Sequence, residues 1–238
     1  MIKSLKNTVL SITIILMTAT SSLANPIESK NISQKKRLLA MVVYDEFELL
    51  DVFGPLEMFG LLHDKVEIVL IGLNSGNAQS SGGPTVVVDQ TFDQLKKVDI
   101  LLIPGGIGTR KGIYNDSLIQ QIKALAEKST YVGTICTGSA LLAKTNLLNG
   151  KKATTNKYAF QWVANVNSNI HWVKEARWVE DDKYWTSSGV SAGIDMALAM
   201  IAKLYGREVA TEIANMTEYH WNDDASQDVF AKKFGLTN

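Results

Sequence analysis

Tyr131-Val132-Gly133-Thr134-Ile135-Cys136-Thr137-Gly138-Ser139-Ala140-Leu141-Leu142-Ala143 is the stretch on which the reading of this chain turns. A short β-prone run ends at the only cysteine of the 238 residues, and a helix start built from small residues follows at once. A strand that stops at a nucleophile and turns sharply into a helix is the geometry of a nucleophile elbow. The turn lifts the side chain out of the sheet and aims the first free amides of the helix at it, which favours thiolate over thiol. The competing reading is a small buried hydrophobe, the commonest fate of a free cysteine. What surrounds Cys136 decides between the two.

Outward from this segment, three further runs share its character. Arg37–Val43, Val66–Gly72 and Val98–Pro104 are of strand length and almost continuously apolar. Runs without polar alternation suit strands buried on both faces of a parallel sheet. Helix-period segments lie between them, at Leu49–Leu62, Ser117–Lys128 and Gly138–Lys144. The alternation predicts an α/β doubly wound, mostly parallel sheet. Gly82-Gly83 ahead of Thr85–Val88 reads as a small hairpin or a crossover extension. Trp178–Thr186 reads as a second hairpin around an acidic turn. Ile194–Tyr205 and Glu208–Ala214 read as closing helices. The five tryptophans all lie in the second half, at spacings that suit core or subunit interface better than a ligand cage.

In open α/β sheets ligands bind beyond the carboxyl ends of the strands. Cys136 falls at one such end and Pro104-Gly105-Gly106-Ile107-Gly108-Thr109 at another. The glycines allow a sharp turn that exposes amides to an anionic oxygen, although an ordinary strand-to-helix turn has the same composition. The spacing is that of neither a dinucleotide loop nor a phosphate loop. Asp51 sits in the apolar stretch Leu49-Leu50-Asp51-Val52-Phe53. Burial there would raise its pKa and let it shuttle a proton, whereas a helix-end role would leave it an ordinary acid. Glu57 is a second acid nearby, more suited to a structural role. His220, between Tyr219 and Trp221, is an accessory candidate.

Residues 1–24 hold no acid, two lysines, an apolar run from Val9 to Met17 and then Ser22-Leu23-Ala24. That is the pattern of a secretory signal cleaved after Ala24, with an apolar core too short to span a bilayer. It predicts a periplasmic or secreted protein with no membrane attachment after cleavage, a polar lead over 25–36 and a single domain over 37–238. Basic and acidic residues balance at 24 each, and no basic stripe offers a footprint for nucleic acid. One cysteine cannot form an internal disulfide, so an unpaired thiol in an oxidising compartment must be useful or shielded.

Five segments together resemble the ThiJ/PfpI superfamily, the cysteine-bearing branch of the class I glutamine-amidotransferase-like fold. They are Leu50-Asp51-Val52-Phe53-Gly54-Pro55-Leu56-Glu57, Ile103-Pro104-Gly105-Gly106, Ile135-Cys136-Thr137-Gly138-Ser139, Leu148–Thr155 and Thr186–Asp195. The first and third look most like isonitrile hydratases and the sensor halves of related AraC-type regulators. The resemblance implies a flavodoxin-like three-layer sandwich and a homodimer acting on a small molecule, with no metal and no organic cofactor. It implies Cys136 as nucleophile, Asp51 as the facing acid and Thr137 as an orienting group. Amides of Gly105, Gly106, Thr137 and Gly138 would bind the substrate or oxyanion. A cysteine hydratase or hydrolase follows. The alternative is a periplasmic ligand-binding or redox-sensing protein that uses the same thiol. Asn156 stands where the family commonly has histidine, and Thr137 where its protease-like branch does, which argues against peptidase chemistry. A regulator is disfavoured, since fewer than 25 residues follow the apparent end of the domain.

Overall fold

The computed structural model describes residues 35–237. The expected signal segment and nearly all of the polar lead lie outside these residues. In chain order the elements are β1 (Arg37–Val42), α1 (Leu49–Gly60), β2 (Val66–Gly72), β3 (Gly76–Gln79), β4 (Thr85–Val88), β5 (Gln90–Thr91), β6 (Ile100–Ile103), α2 (Thr109–Gly112), α3 (Asp116–Lys128), β7 (Tyr131–Thr134) and α4 (Gly138–Lys144). Then follow β8 (Lys152–Ala153), α5 (Phe160–Ala164), β9 (His171–Trp172), β10 (Trp178–Asp181), β11 (Tyr184–Ser187), α6 (Ala192–Tyr205), α7 (Arg207–Met216) and α8 (Val229–Lys233).

A seven-stranded sheet in the order β10-β11-β7-β6-β1-β2-β5 forms the middle layer. All its pairings are parallel except β10–β11, the antiparallel hairpin expected from the Trp178–Thr186 stretch. Asp182, in the left-handed region at φ 58°, makes its turn. The other expected hairpin is β3–β4. The α/β reading therefore holds, and its physical reason is visible residue by residue. Leu39 and Met41 of β1, with Ile100 and Leu102 of β6, pack among residues of α1, α6 and α7. Their alternates Ala40, Val42, Leu101 and Ile103 pack among residues of α3 and α4. Covering both faces leaves no polar alternation in the central strands.

Two local choices bring helices close to the sheet edge where the cysteine lies. Gly54 of α1 meets α6 so tightly that a Cβ there would stand 2.7 Å from Ile194 Cγ1. Pro55 follows inside the same helix, and its missing N–H leaves the Asp51 carbonyl without the usual i+4 donor. Trp178 and Trp185 are core residues, and Trp162, Trp172 and Trp221 are half-buried. Beyond Gly150 the short β8–β9 pair and α5, which no sequence period announced, replace a long loop.

Leu102, fully buried between β7 and α6 with its Cδ2 tight against Gly133, is a direct test of this core. Leu102→Ala should cost about 2–5 kcal/mol, read as a lowered urea midpoint with an unchanged m-value.

Candidate active site

The site begins with backbone strain. Cys136 has φ 56°, in the region a side chain normally avoids. Several hydrogen bonds hold it there. Ile135 N–H donates to Ile103 O at 2.9 Å, continuing the sheet, and Cys136 N–H donates to Ser188 O at 3.0 Å. The Cys136 carbonyl accepts from Thr155 Oγ1 at 2.9 Å and from Ser139 Oγ at 3.0 Å. Gly138 lets α4 start immediately, since a Cβ there would lie 2.2 Å from the Ile103 carbonyl oxygen. The expected elbow is thus present, and Cys136 is 6% exposed.

Asp51 faces the thiol from the first turn of α1 and is fully buried. Its Oδ2 accepts from Gly105 N–H at 2.8 Å, and Oδ1 has no hydrogen-bond partner among the described residues. Gly105 passes between acid and elbow, where a Cβ would be 2.6 Å from Thr137 N and 2.8 Å from Asp51 Oδ2. The loop before α1 clamps this turn from outside. Tyr44 Oη donates to Pro104 O at 2.6 Å and Glu48 N–H to Gly105 O at 2.9 Å.

Burial raises the Asp51 carboxyl to about 7, with the nearby Glu48 charge adding to the rise against the Gly105 bond. Burial and the Asp51 charge also push the Cys136 thiol well up. The low-pKa thiolate expected from a helix start is therefore not the resting state. Thr137 N–H, Val190 N–H and the Asn156 side chain oppose this rise by donating to the sulfur. Acid and thiol behave as one coupled pair.

The four amides expected as an anion pocket divide differently. Gly105 N–H is bound to Asp51, Gly106 N–H to Thr137 Oγ1 at 3.1 Å and Gly138 N–H to Ile135 O at 2.9 Å. Only that of Thr137 acts on the sulfur. The Thr137 hydroxyl is engaged by Gly106 and by Thr109 Oγ1, so it fixes the Gly105-Gly106 turn. Glu57 and His220 are exposed and take no part in these contacts, as are His63 and His171. Val190, Tyr44 and Glu48 are the participants that sequence reasoning passed over, and Asn156 was noted only as a departure from the family's histidine. Val190, a β-branched residue at φ 38°, leaves no signal in composition.

Behind the Val190 loop lies a buried ion pair. Arg177 Nε donates to Asp195 Oδ2 at 2.6 Å and Nη2 approaches it at 2.5 Å. Tyr219 Oη and Asn222 N–H both donate to Asp195 Oδ1 at 3.0 Å. Ser188, whose carbonyl holds the Cys136 amide, donates its own N–H to the Arg177 carbonyl at 2.7 Å. No cluster of metal-ligating side chains occurs among the described residues. A cavity of about 600 Å³ opens beside the site, bordered by Tyr44, Asn77, Ser80, Gly108 and Lys111, but neither Cys136 nor Asp51 lines it.

The raised carboxyl has a stability consequence. Folding holds the Asp51 proton up to about 7, so the associated stability is fully present below the unfolded carboxyl pKa of about 4 and is lost as pH rises through about 7. Asp51→Asn should therefore match wild type near pH 4 and exceed it by up to the order of 4 kcal/mol near pH 8. Urea unfolding of both proteins at the two pH values measures this difference.

Comparison with known proteins agrees with this architecture. The chain is 30% identical to the isonitrile hydratase of Pseudomonas putida over 181 residues, covering 76% of this chain and 78% of that one. It is 25% identical to the HTH-type transcriptional regulator CdhR of Pseudomonas aeruginosa, covering 77% of this chain and 55% of the regulator. The crystal structure of a ThiJ/PfpI family protein from Pseudomonas syringae superposes with a TM-score of 0.73 at 29% identity, covering 82% of this chain and 80% of that one. The family profile described as DJ-1/PfpI matches residues 36–203, from the start of β1 to the last turn of α6. With its sheet order, its cysteine elbow and this match in hand, the chain belongs to the DJ-1/PfpI family.

Proposed function

We propose that this protein is a cofactor-independent cysteine hydratase for a small electrophilic carbon, with isonitriles as the substrate class. The observation that carries the reading is the buried Asp51–Cys136 pair, a carboxyl raised to about 7 facing a thiol that a strained backbone turn presents to it. The similarity to the Pseudomonas putida isonitrile hydratase supports the choice of substrate.

Once Asp51 has ionised, above about pH 7, thiol and carboxylate hold one proton between them. As Sγ attacks the terminal carbon of R–N≡C, Asp51 takes the thiol proton and passes it to that carbon. The product is a thioimidate, R–N=CH–S–Cys136. Water adds to the same carbon, the C–S bond breaks, and sulfur recovers a proton as the N-substituted formamide leaves. The net reaction adds one water and leaves the pair as it began. Donors preorganised around the sulfur lower the barrier by stabilising charge that appears during attack. The redox-sensing alternative fits less well, because sensor cysteines combine a lowered pKa with exposure, and Cys136 has neither.

Formamide release from a simple alkyl isonitrile tests the proposal. Cys136→Ser should abolish turnover, a loss of at least about a thousandfold. Asp51→Asn should lower it by roughly 10²–10⁴-fold. The pair is competent once Asp51 has ionised, so the rate of wild type should rise with pH through about 7 to a plateau. That rise should vanish in Asp51→Asn. Turnover that survives Cys136→Ser would exclude the mechanism.

A further inference from the structure

We infer that the cavity of about 600 Å³ between the β3–β4 hairpin and α2 is a second binding site, for a small neutral polyhydroxylated molecule such as a monosaccharide or cyclitol. The inference goes beyond the proposed hydration and does not depend on the chemistry of Cys136, which lies outside the cavity lining.

The cavity lies where this class of fold binds ligands. Val43, just past β1, and Gly72, the last residue of β2, both line it, so it opens beyond the carboxyl ends of two parallel strands. Its volume falls within the span of small-molecule sites, about 300–1,000 Å³. The buried part of the lining is mostly apolar, from Val43, Ala78, Val88 and Leu118. Tyr44 contributes its ring, because its hydroxyl is committed to Pro104 O at 2.6 Å. One polar group interrupts this surface. Ser80 is 4% exposed, and its hydroxyl has no hydrogen-bond partner among the described residues. Buried hydroxyls are normally hydrogen-bonded, and a ligand seated here would supply the partner.

The rim decides the class of ligand. Its charges are already engaged: Lys111 Nζ donates to Glu46 Oε2 at 2.8 Å, and Asp45 Oδ1 accepts from Gln79 N–H at 3.0 Å. Two acids against one base leave a net negative charge there, which disfavours an anion. Gln79 Nε2 is likewise taken, by Gly83 O at 3.1 Å. Asn115 commits Oδ1 to Leu118 N–H at 3.1 Å, capping α3, and keeps its amide hydrogens. Asn74, Ser75 and Asn77 are exposed and enter none of these bonds. What the cavity offers is therefore neutral amides and hydroxyls around an aromatic and aliphatic surface. Such groups donate to and accept from the ring hydroxyls of a sugar, while its C–H face packs on Tyr44.

Ligand-observed NMR titration with D-glucose and myo-inositol tests the site, with inorganic phosphate and choline as charged controls. Saturable binding in the millimolar range or tighter is expected for a neutral probe, and weaker or no binding for the controls. Ser80→Ala should weaken that binding roughly two- to tenfold, the range for one neutral hydrogen bond. It should do so without lowering the thermal midpoint, since the hydroxyl has no partner among the described residues to lose. Asn77→Ala, on the exposed rim, should weaken binding by a similar factor, and Cys136→Ser should leave it unchanged. The inference is overturned by no saturable binding of either neutral probe, by tighter binding of a charged control, or by affinity that neither Ser80→Ala nor Asn77→Ala alters. Affinity lost in Cys136→Ser overturns it as well. Formamide production is read in neither the titration nor the variants, so this site and the hydratase reading stand or fall separately.

Discussion

The left-handed backbone at Cys136 is the constraint on which the rest of the site depends. A side chain in that conformation is unfavourable by an amount on the order of 1–3 kcal/mol and persists only when its surroundings over-determine it. Here the surroundings come from separate parts of the chain. β6 holds the preceding amide, the end of β11 holds the cysteine amide, and the Thr154–Lys157 segment holds its carbonyl. The glycines at 105 and 138 follow from the same demand, because any Cβ at either position would enter the space of Thr137 or of the β6 carbonyl. Changing one of these elements therefore changes where the sulfur points, even when the sulfur itself is untouched.

Electrostatics then sets what the pointed sulfur can do. Burial acts against charge on both Asp51 and Cys136; the Asp51 charge further disfavours the thiolate, whereas the hydrogen bond from the Cys136 thiol favours the Asp51 carboxylate. Such a pair holds a single proton over a wide pH span and releases it to a neighbouring atom more readily than to water. Three donors around the sulfur bias that proton toward the carboxyl at the moment of attack. The combination suits addition across one carbon, where the proton removed from the nucleophile is the proton that the substrate needs.

Much of this was legible in the residues. Apolar runs without alternation placed the central strands, because Leu39, Ala40, Met41 and Val42 are buried on alternating faces. The strand-to-helix switch at Cys136 placed the cysteine at the elbow, and Asp51 stood out as an acid in an apolar stretch. Donor assignment was not legible. Glycine-rich turns advertise free amides, but whether an amide is free depends on partners far along the chain, such as Asp51 for Gly105 and Thr137 for Gly106. The contribution of Val190 rests on an unfavourable φ that no propensity favours. His220 was attractive by residue type alone, and the path of the chain after α7 leaves it exposed.

That path matters for where the folding unit ends. The family model ends at residue 203, within α6. Yet Asp195, in the first turn of that helix, owes two of its hydrogen bonds to Tyr219 and Asn222, and Arg177 N–H reaches onward to Ala225 O. A chain trimmed at residue 203 would keep a buried carboxylate and lose half of what satisfies it, one step behind the loop that carries Val190. The segment after residue 203 is thus a permanent brace of the cysteine-bearing edge rather than an appendage, and an excised domain that omits it would be a different molecule around Cys136.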